Sequence, residues 1–166
     1  QFGTSMCYPI SSFGAHVAAR PRTSLKTRGN VAMCGTFGYE LDPRKLTDDE
    51  KAEVKQQIAD YRKYHRLVRE GDFYRLVSPT ENDFYCAWEF VSPDKQEAMM
   101  TAVVMRQPET RYCVQRLRGL DPKTYYQDEE TGTVYSGAML MNAGLNLTRD
   151  VYEDGTSVTK HFKAVK

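Results

Sequence analysis

Residues 13–42 read FGAHVAARPRTSLKTRGNVAMCGTFGYELD, and this stretch decides the fold of the first half of the chain. The run 13–19 is almost continuously apolar, which is typical of a strand covered on both faces, as in a parallel sheet. Residues 24–34 can form a helix that ends at Gly35, and residues 36–41 then form a second short strand. The order strand, helix, strand predicts a parallel β-α-β unit.

A second helix follows from a clear start signal. Thr47-Asp-Asp-Glu50 is a capping box, in which the Thr47 hydroxyl and the Glu50 carboxylate each satisfy a free backbone N–H. Gly71 is placed to end the helix, so we predict a helix over 47–70. Apolar or aromatic residues recur at helical spacing and predict one buried stripe: Val54, Ile58, Tyr61, His65 and Val68. We expect His65 to be a core or boundary residue with a satisfied ring and not a ligand or base.

After Gly71 the pattern becomes that of strands. Four segments rich in aromatic and β-branched residues are separated by proline or turn clusters: 73–77, 84–91, 98–106 and 111–118. A short helix is predicted from Ser136 to Asn142. The sequences around 130–132 and 154–155 indicate hairpin turns. Strands at this spacing predict an antiparallel β-sandwich, with domains at 1–70 and 71–166.

The first half is too small to be a fold of its own. A parallel sheet needs both faces covered and its edges paired, and about 70 residues bury too little surface for that. Gln1 is not an initiator Met, and no charged-then-apolar leader follows it. We therefore expect the chain to start inside a longer polypeptide.

Composition excludes several functions. The 23 Lys and Arg against 22 Asp and Glu give a net charge of +1, which does not favour binding to nucleic acid or a membrane surface. The cysteines lack metal-site spacing, and the histidines lack a matching His pair, so no metal site is expected. Dispersed cysteines in a chain of this size indicate reduced residues of a cytoplasmic protein, with a Cys86–Cys113 disulfide as the alternative.

Eight ordered segments resemble one family. The first four are similar to the last part of the barrel of glycoside hydrolase family 36 α-galactosidases (the melibiase type): Gly3-Thr-Ser-Met-Cys-Tyr-Pro, Ser12-Phe-Gly-Ala-His-Val, Leu25-Lys-Thr-Arg-Gly-Asn-Val-Ala-Met and Gly35-Thr-Phe-Gly-Tyr-Glu-Leu-Asp. The other four resemble its C-terminal β domain: Gly71-Asp-Phe-Tyr-Arg-Leu, Ala87-Trp-Glu-Phe-Val-Ser, Leu117-Arg-Gly-Leu-Asp-Pro and Tyr135-Ser-Gly-Ala-Met-Leu-Met-Asn-Ala-Gly-Leu.

The resemblance implies an α/β barrel fragment, the last two β/α units of a TIM barrel, followed by the antiparallel β domain. Residues 13–19 and 36–41 would be the seventh and eighth barrel strands. The complete enzyme would hydrolyse terminal α-linked galactose from oligosaccharides with retention, need no metal or organic cofactor, and form a homo-oligomer.

The resemblance also implies that the catalytic residues lie elsewhere. The family's nucleophile is an Asp in a Lys-Trp-Asp-like segment and its acid/base an Asp in a Ser-Asp-Asn-like segment, and neither segment occurs here. Both would lie upstream of Gln1, so no catalytic, substrate-binding, cofactor-binding or metal residue is assigned, and the chain alone is expected to be inactive. The family's longer polar loop after the seventh strand is replaced here by Arg20–Thr23, so the loop is either shortened or only partly included in this sequence, and no sugar contact is assigned to it.

The carboxylates within this chain are poor candidates to replace the missing catalytic pair. Asp48-Asp49 is explained by helix capping and 128–130 by a solvated turn. Glu40 and Asp42 end the second strand, on the side where barrel enzymes do their chemistry, and a rim or structural role is favoured for both. His16 is expected to pack in the core.

Two further features have simple structural explanations. The basic cluster Arg20, Arg22, Lys26 and Arg28 is interpreted as a solvated turn and helix start. Trp88 with its aromatic neighbours is interpreted as sheet core. The alternative for the second half is a non-catalytic carbohydrate-binding or oligomerisation module, which would need Trp88 on an exposed face.

Overall fold

A computed structural model describes residues 2–19, 23–81, 84–107 and 113–165. The helices are α1 (Leu25–Ala32), α2 (Asp48–Glu70) and α3 (Gly137–Asn142). The strands are β1 (Gly14–Ala18), β2 (Thr36–Glu40), β3 (Asp72–Val77), β4 (Tyr85–Val91), β5 (Glu97–Val104), β6 (Val114–Gln115), β7 (Tyr125–Asp128), β8 (Val134–Ser136), β9 (Leu145–Asn146) and β10 (Ser157–Val165). Three short 3-10 turns lie at 4–6, 10–12 and 43–45.

The predicted β-α-β unit is confirmed. Strands β1 and β2 pair in parallel, with His16 opposite Gly38, and α1 makes the crossover between them. Ala15 and Val17 are fully buried against this helix and the inner side of α2. The near-continuous apolar run 13–19 predicted burial on both faces, but only one face of β1 is covered within the described residues.

Helix α2 begins at the predicted capping box. Thr47 Oγ1 accepts from the Glu50 N–H at 3.2 Å, and Glu50 Oε2 accepts from the Thr47 N–H at 2.9 Å. Val68 is buried as predicted, but the stripe differs before it, because Leu67 is buried while His65 is exposed. The expectation for His65 as a buried stripe residue is therefore wrong, although its Nδ1 lies 2.9 Å from the Arg62 carbonyl oxygen.

The second half is built on one antiparallel sheet of six strands, in the order β3-β4-β5-β10-β7-β8. One face packs against α2 through Trp88, Phe90 and Met99. The other face is covered by α3, the two-stranded sheet β6–β9 and the loops between them. The change from helix to sheet occurs at Gly71, which closes α2 one residue before β3 begins.

The layer on that second face is smaller than the second sheet of a sandwich. The predicted strand over 111–118 is reduced to Val114 and Gln115 within the described residues. The reason is that the next amides bond elsewhere: the Leu117 N–H donates to the Leu140 carbonyl and the Arg118 N–H to the Glu89 carboxylate. A strand cannot continue when its backbone donors leave the ladder.

The predicted short helix and one of two predicted hairpins are confirmed. Ser136 caps α3 by accepting from the Met139 N–H. Gly132, at φ +71°, lies in the turn between the paired strands β7 and β8. The 154–155 turn does not join paired strands, because β10 pairs with β5 and β7, and the Gly155 N–H donates to the Val104 carbonyl.

Candidate functional site

Two groups of carboxylates that the sequence singles out, 48–49 and 128–130, have local partners. Asp48 is almost fully exposed at the start of α2 and pairs with Lys51 at 2.9 Å. Asp128 orders the β7–β8 turn, accepting from the Glu130 N–H and from the Thr131 hydroxyl. Asp48 agrees with the interpretation as a helix start. The interpretation of 128–130 as a solvated turn is wrong for Asp128, whose side chain is buried with Oδ2 3.7 Å from Lys160 Nζ.

Asp42 has a structural role at the end of β2. Its side chain caps the 3-10 turn at 43–45 and receives two parallel hydrogen bonds from the Arg44 guanidinium, each 2.9 Å long. The side-chain hydrogen bonds from Arg44, followed by the Arg44 backbone N–H, lower the pKa of Asp42. Both carboxylate oxygens are occupied, so Asp42 has no oxygen free of Arg44.

Glu40 and His16 form a pair that the sequence did not predict. His16 Nδ1 lies 2.8 Å from Glu40 Oε1, across the two parallel strands. The side chains are 44% and 64% exposed, so the expectation that His16 packs in the core is wrong. The physical reason is strand alternation: Ala15 and Val17 point to the helices, and His16 points to the opposite face.

Trp88 lies inside the core. It is only 7% exposed and packs with Phe90 and Met99 in the layer between α2 and the sheet. Phe84 is the more exposed aromatic of this segment, with the Arg106 guanidinium over its ring. This geometry agrees with the core interpretation and gives no support to Trp88 as an open sugar-stacking platform.

The basic cluster has a structural explanation where the structure describes it. Arg20 and Arg22 lie outside the described residues. Arg28 donates through Nη1 to the Ala18 carbonyl oxygen, which ties α1 to the end of β1. Lys26 is exposed on the first turn of α1.

A charged cluster joins α2 to the sheet, and sequence reasoning missed it. His161 is buried on β10, with Nδ1 2.7 Å from Glu129 Oε2 and Nε2 2.6 Å from Glu97 Oε1. Lys63 of α2 reaches Glu129 at 2.5 Å, and Lys163 reaches it at 2.8 Å. Desolvation alone would raise the pKa of Glu129, but hydrogen bonds from Lys163, Lys63 and His161 outweigh it and lower this pKa to about 2. Residues up to 100 positions apart meet here, so no local pattern signals the cluster.

Glu89 is a buried carboxyl group in the central strand β4. It is fully buried on the face that carries Ala87 and Val91. Its Oε2 accepts from the Arg118 N–H at 2.9 Å, and its Oε1 has no partner among the described residues. Burial raises the pKa of Glu89 to about 8, against smaller opposing effects of the Arg118 backbone and charge. Alternation in β4 could have placed this residue in the core, but its partner comes from a loop 29 residues away.

The described residues contain no metal site, disulfide or membrane-spanning helix. The described residues contain no group of three His, Cys, Asp or Glu side chains arranged to hold a metal ion. None of the four cysteines forms a disulfide, so the alternative Cys86–Cys113 disulfide is not formed; Cys34 and Cys86 are buried and Cys7 is exposed. None of the three helices described above is long and apolar enough to cross a membrane.

Comparison with known proteins matches both halves of the chain. Residues 1–71 match the melibiase family, and residues 85–162 match the C-terminal domain of glycosyl hydrolase family 36. Alpha-galactosidase AgaA of Geobacillus stearothermophilus is 49% identical over 154 residues, which cover 89% of this chain and 21% of AgaA. The bifunctional alpha-galactosidase/sucrose kinase AgaSK of Mediterraneibacter gnavus is 44% identical over 154 residues, 89% of this chain and 16% of AgaSK.

Solved structures match nearly the whole of this chain. The galactosidase domain of AgaSK superposes with a TM-score of 0.93 and 41% identity, over 99% of this chain and 24% of that one. A variant of AgaA from G. stearothermophilus in complex with raffinose superposes with a TM-score of 0.92 and 45% identity, over 99% of this chain and 24% of that one. This chain spans a quarter or less of the length of these relatives. The chain belongs to glycoside hydrolase family 36, in which it corresponds to part of the melibiase region and the C-terminal domain.

Proposed function

We propose that the complete polypeptide containing this chain is a retaining α-galactosidase that releases terminal α-linked galactose from oligosaccharides. The observation that carries the proposal is the match to enzymes named as α-galactosidases, over 89% of the chain in sequence and 99% in structure. Solved structures of AgaA variants contain raffinose and stachyose, which are oligosaccharides of this class.

In this proposal, β1 and β2 are the seventh and eighth strands of a (β/α)8 barrel. The support is their parallel pairing with a helical crossover and the helices α1 and α2 on one face only. Within the described residues each strand has a single neighbour, so each has one open edge. A closed barrel would pair both edges and enclose the bare face.

The catalytic carboxylates are proposed to come from other strands of that barrel. Retaining hydrolysis needs two carboxyl groups about 5–5.5 Å apart. Among the described residues of β1 and β2, Glu40 is the sole carboxylate on the bare face. This chain would contribute the closing wall of the site and a β domain packed on the barrel through α2.

Location and assembly form part of the same proposal. Four cysteines without a disulfide are typical of a reducing compartment, which supports a cytoplasmic location. Exposed apolar side chains at the β7–β8 edge, Tyr125 and Val134, support assembly into a homo-oligomer.

Hydrolysis of an aryl α-galactoside tests the proposal. The complete polypeptide should release the aryl alcohol, and residues 1–166 alone should not, because they lack the pair of acids. Lack of turnover by the complete polypeptide, or turnover by residues 1–166 alone, would contradict it. The β-anomer of the same aryl galactoside is the matched control and should not be cleaved.

A further inference from the structure

The two faces of the β1–β2 pair differ sharply in chemistry. The face against α1 and α2 carries the apolar side chains of Ala15, Val17 and Phe37. The bare face carries two large polar residues, His16 and Glu40, and otherwise only small ones: Gly14, Ala18, Thr36 and Gly38. If packing were the purpose of this face, we would expect bulky branched residues, as in filled barrel interiors.

The histidine ring lies over two glycines. A Cβ atom on Gly38 would lie 2.9 Å from His16 Cδ2, and one on Gly14 would lie 3.3 Å from His16 Nε2. The ring therefore occupies space that side chains at these two positions would fill. The hydrogen bond to Glu40 then fixes which ring nitrogen faces the carboxylate.

Among the described residues, only one of the two carboxylate oxygens of Glu40 has a side-chain partner. Oε1 faces His16, and Oε2 has no hydrogen bond or ion pair with any residue that the structure describes. Glu40 is the last residue of β2, and in barrel enzymes the carboxyl ends of the strands form the active-site face. Asp42, two residues further on, has both oxygens occupied by Arg44 and offers no such acceptor.

We propose that Glu40 is a substrate-binding residue, whose second carboxylate oxygen, Oε2, accepts a hydrogen bond from a hydroxyl group of the bound galactosyl unit, and that His16 is its positioning residue. This inference rests on the proposed barrel and its α-galactosidase activity. A carboxylate oriented by a neighbouring ring is a strong acceptor for a sugar hydroxyl, because the bond is charge-assisted.

The test uses the complete polypeptide and its Glu40→Gln variant, with Asp42→Asn as the matched control at the same strand end. Glu40→Gln should lower kcat/KM on an aryl α-galactoside about ten- to hundredfold, the usual effect of weakening one charge-assisted bond. Asp42→Asn should change it less than threefold. Glu40→Asp, which retracts the carboxylate by one methylene, is a second variant and should also lose activity.

Aryl α-galactosides that each lack one ring hydroxyl separate contact from structure. The unaltered protein should hydrolyse one of these sugars more slowly than the parent galactoside. Glu40→Gln should hydrolyse that sugar and the parent at the same rate, because both changes remove the same hydrogen bond. For every such sugar, the fold-loss in kcat/KM from the missing hydroxyl and the fold-loss from Glu40→Gln could simply multiply. In that case, or if Glu40→Gln retains full kcat/KM, Glu40 does not contact the substrate. If the unaltered polypeptide does not hydrolyse the parent galactoside, the proposed function fails and this inference falls with it.

The role of His16 is tested by two variants, one that keeps the N–H donor and one that keeps the ring. His16→Asn keeps an N–H near the position of Nδ1 and should retain most of the activity. His16→Phe keeps a flat ring beside the two glycines but has no donor, so it should lower kcat/KM as Glu40→Gln does. Equal activity of the two variants would show that His16 does not position Glu40.

Discussion

Single residues show how far side-chain chemistry can be predicted from the sequence. The capping role of Thr47 followed from its spacing to Glu50, because both partners are local. The role of His16 did not follow, because the apolar run around it hides which face of the strand each residue occupies. Strand alternation fixes that face only once the position of the covering helix is known.

Glu89 should make stability depend on pH. Its pKa is raised from 4.5 to about 8 by burial, so the folded state holds a proton that the unfolded state releases between these values. Stability should therefore fall as pH rises from about 4.5 to 8, by up to about 1.4 kcal/mol per pH unit. Glu89→Gln, which stays neutral, should gain stability relative to the unaltered protein over this window.

The measurement is urea unfolding of both proteins from pH 5 to pH 9. The difference between them is the relevant quantity, because other groups titrate in both. A difference that stays constant with pH would show that Glu89 is ionised in the folded state.

Secondary-structure elements were predicted where their signals are local. Helix α2 and the short helix α3 begin at their predicted caps, and β1 to β5 lie within a few residues of their predicted bounds. The element that failed is the predicted strand over 111–118. Its amides bond to α3 and to Glu89, contacts that only the assembled fold provides.

Removal of the cap should weaken α2. Thr47→Ala loses the hydroxyl that accepts from the Glu50 N–H, and the expected loss of unfolding free energy is about 1 kcal/mol. Thr47→Ser keeps the hydroxyl and should be close to the unaltered protein. Urea unfolding followed by circular dichroism measures both, and equal stability of the Ala and Ser variants would exclude the cap as a stabilising contact.

The charged cluster should hold α2 on the sheet above acidic pH. The pKa of Glu129 is lowered to about 2, so its contribution is present above the unfolded value of 4.5 and is lost as pH falls towards 2. Glu129→Gln should destabilise the protein at pH 7 by about 1–3 kcal/mol, since it leaves His161 and Lys63 without their common partner.

Unfolding midpoints at pH 7 and pH 3 test this cluster. The difference between Glu129→Gln and the unaltered protein should shrink at the lower pH. Asp48→Asn removes an almost fully exposed partner of Lys51 and is the control, which should behave as the unaltered protein at both values. If Glu129→Gln lowers the unfolding midpoint by the same amount at both pH values, the ionic role of Glu129 is contradicted.

At the scale of the whole molecule, the β-α-β-α unit and the antiparallel sheet were both predicted from the change in periodicity at Gly71. The small size of the layer that covers the sheet was not predicted, because much of that layer consists of loop residues whose sequence has no regular hydrophobic period. The incompleteness of the first unit follows from physics: two parallel strands with one covered face and two open edges do not form a stable sheet.

Amide hydrogen exchange of β1 and β2, compared between residues 1–166 and the complete polypeptide, tests that incompleteness most directly. If these strands close a barrel, the amides at their open edges should exchange quickly in residues 1–166. The same amides should be protected by several orders of magnitude in the complete polypeptide. Equal protection in the two would show that the β1–β2 pair is already complete, and the barrel assignment would be wrong.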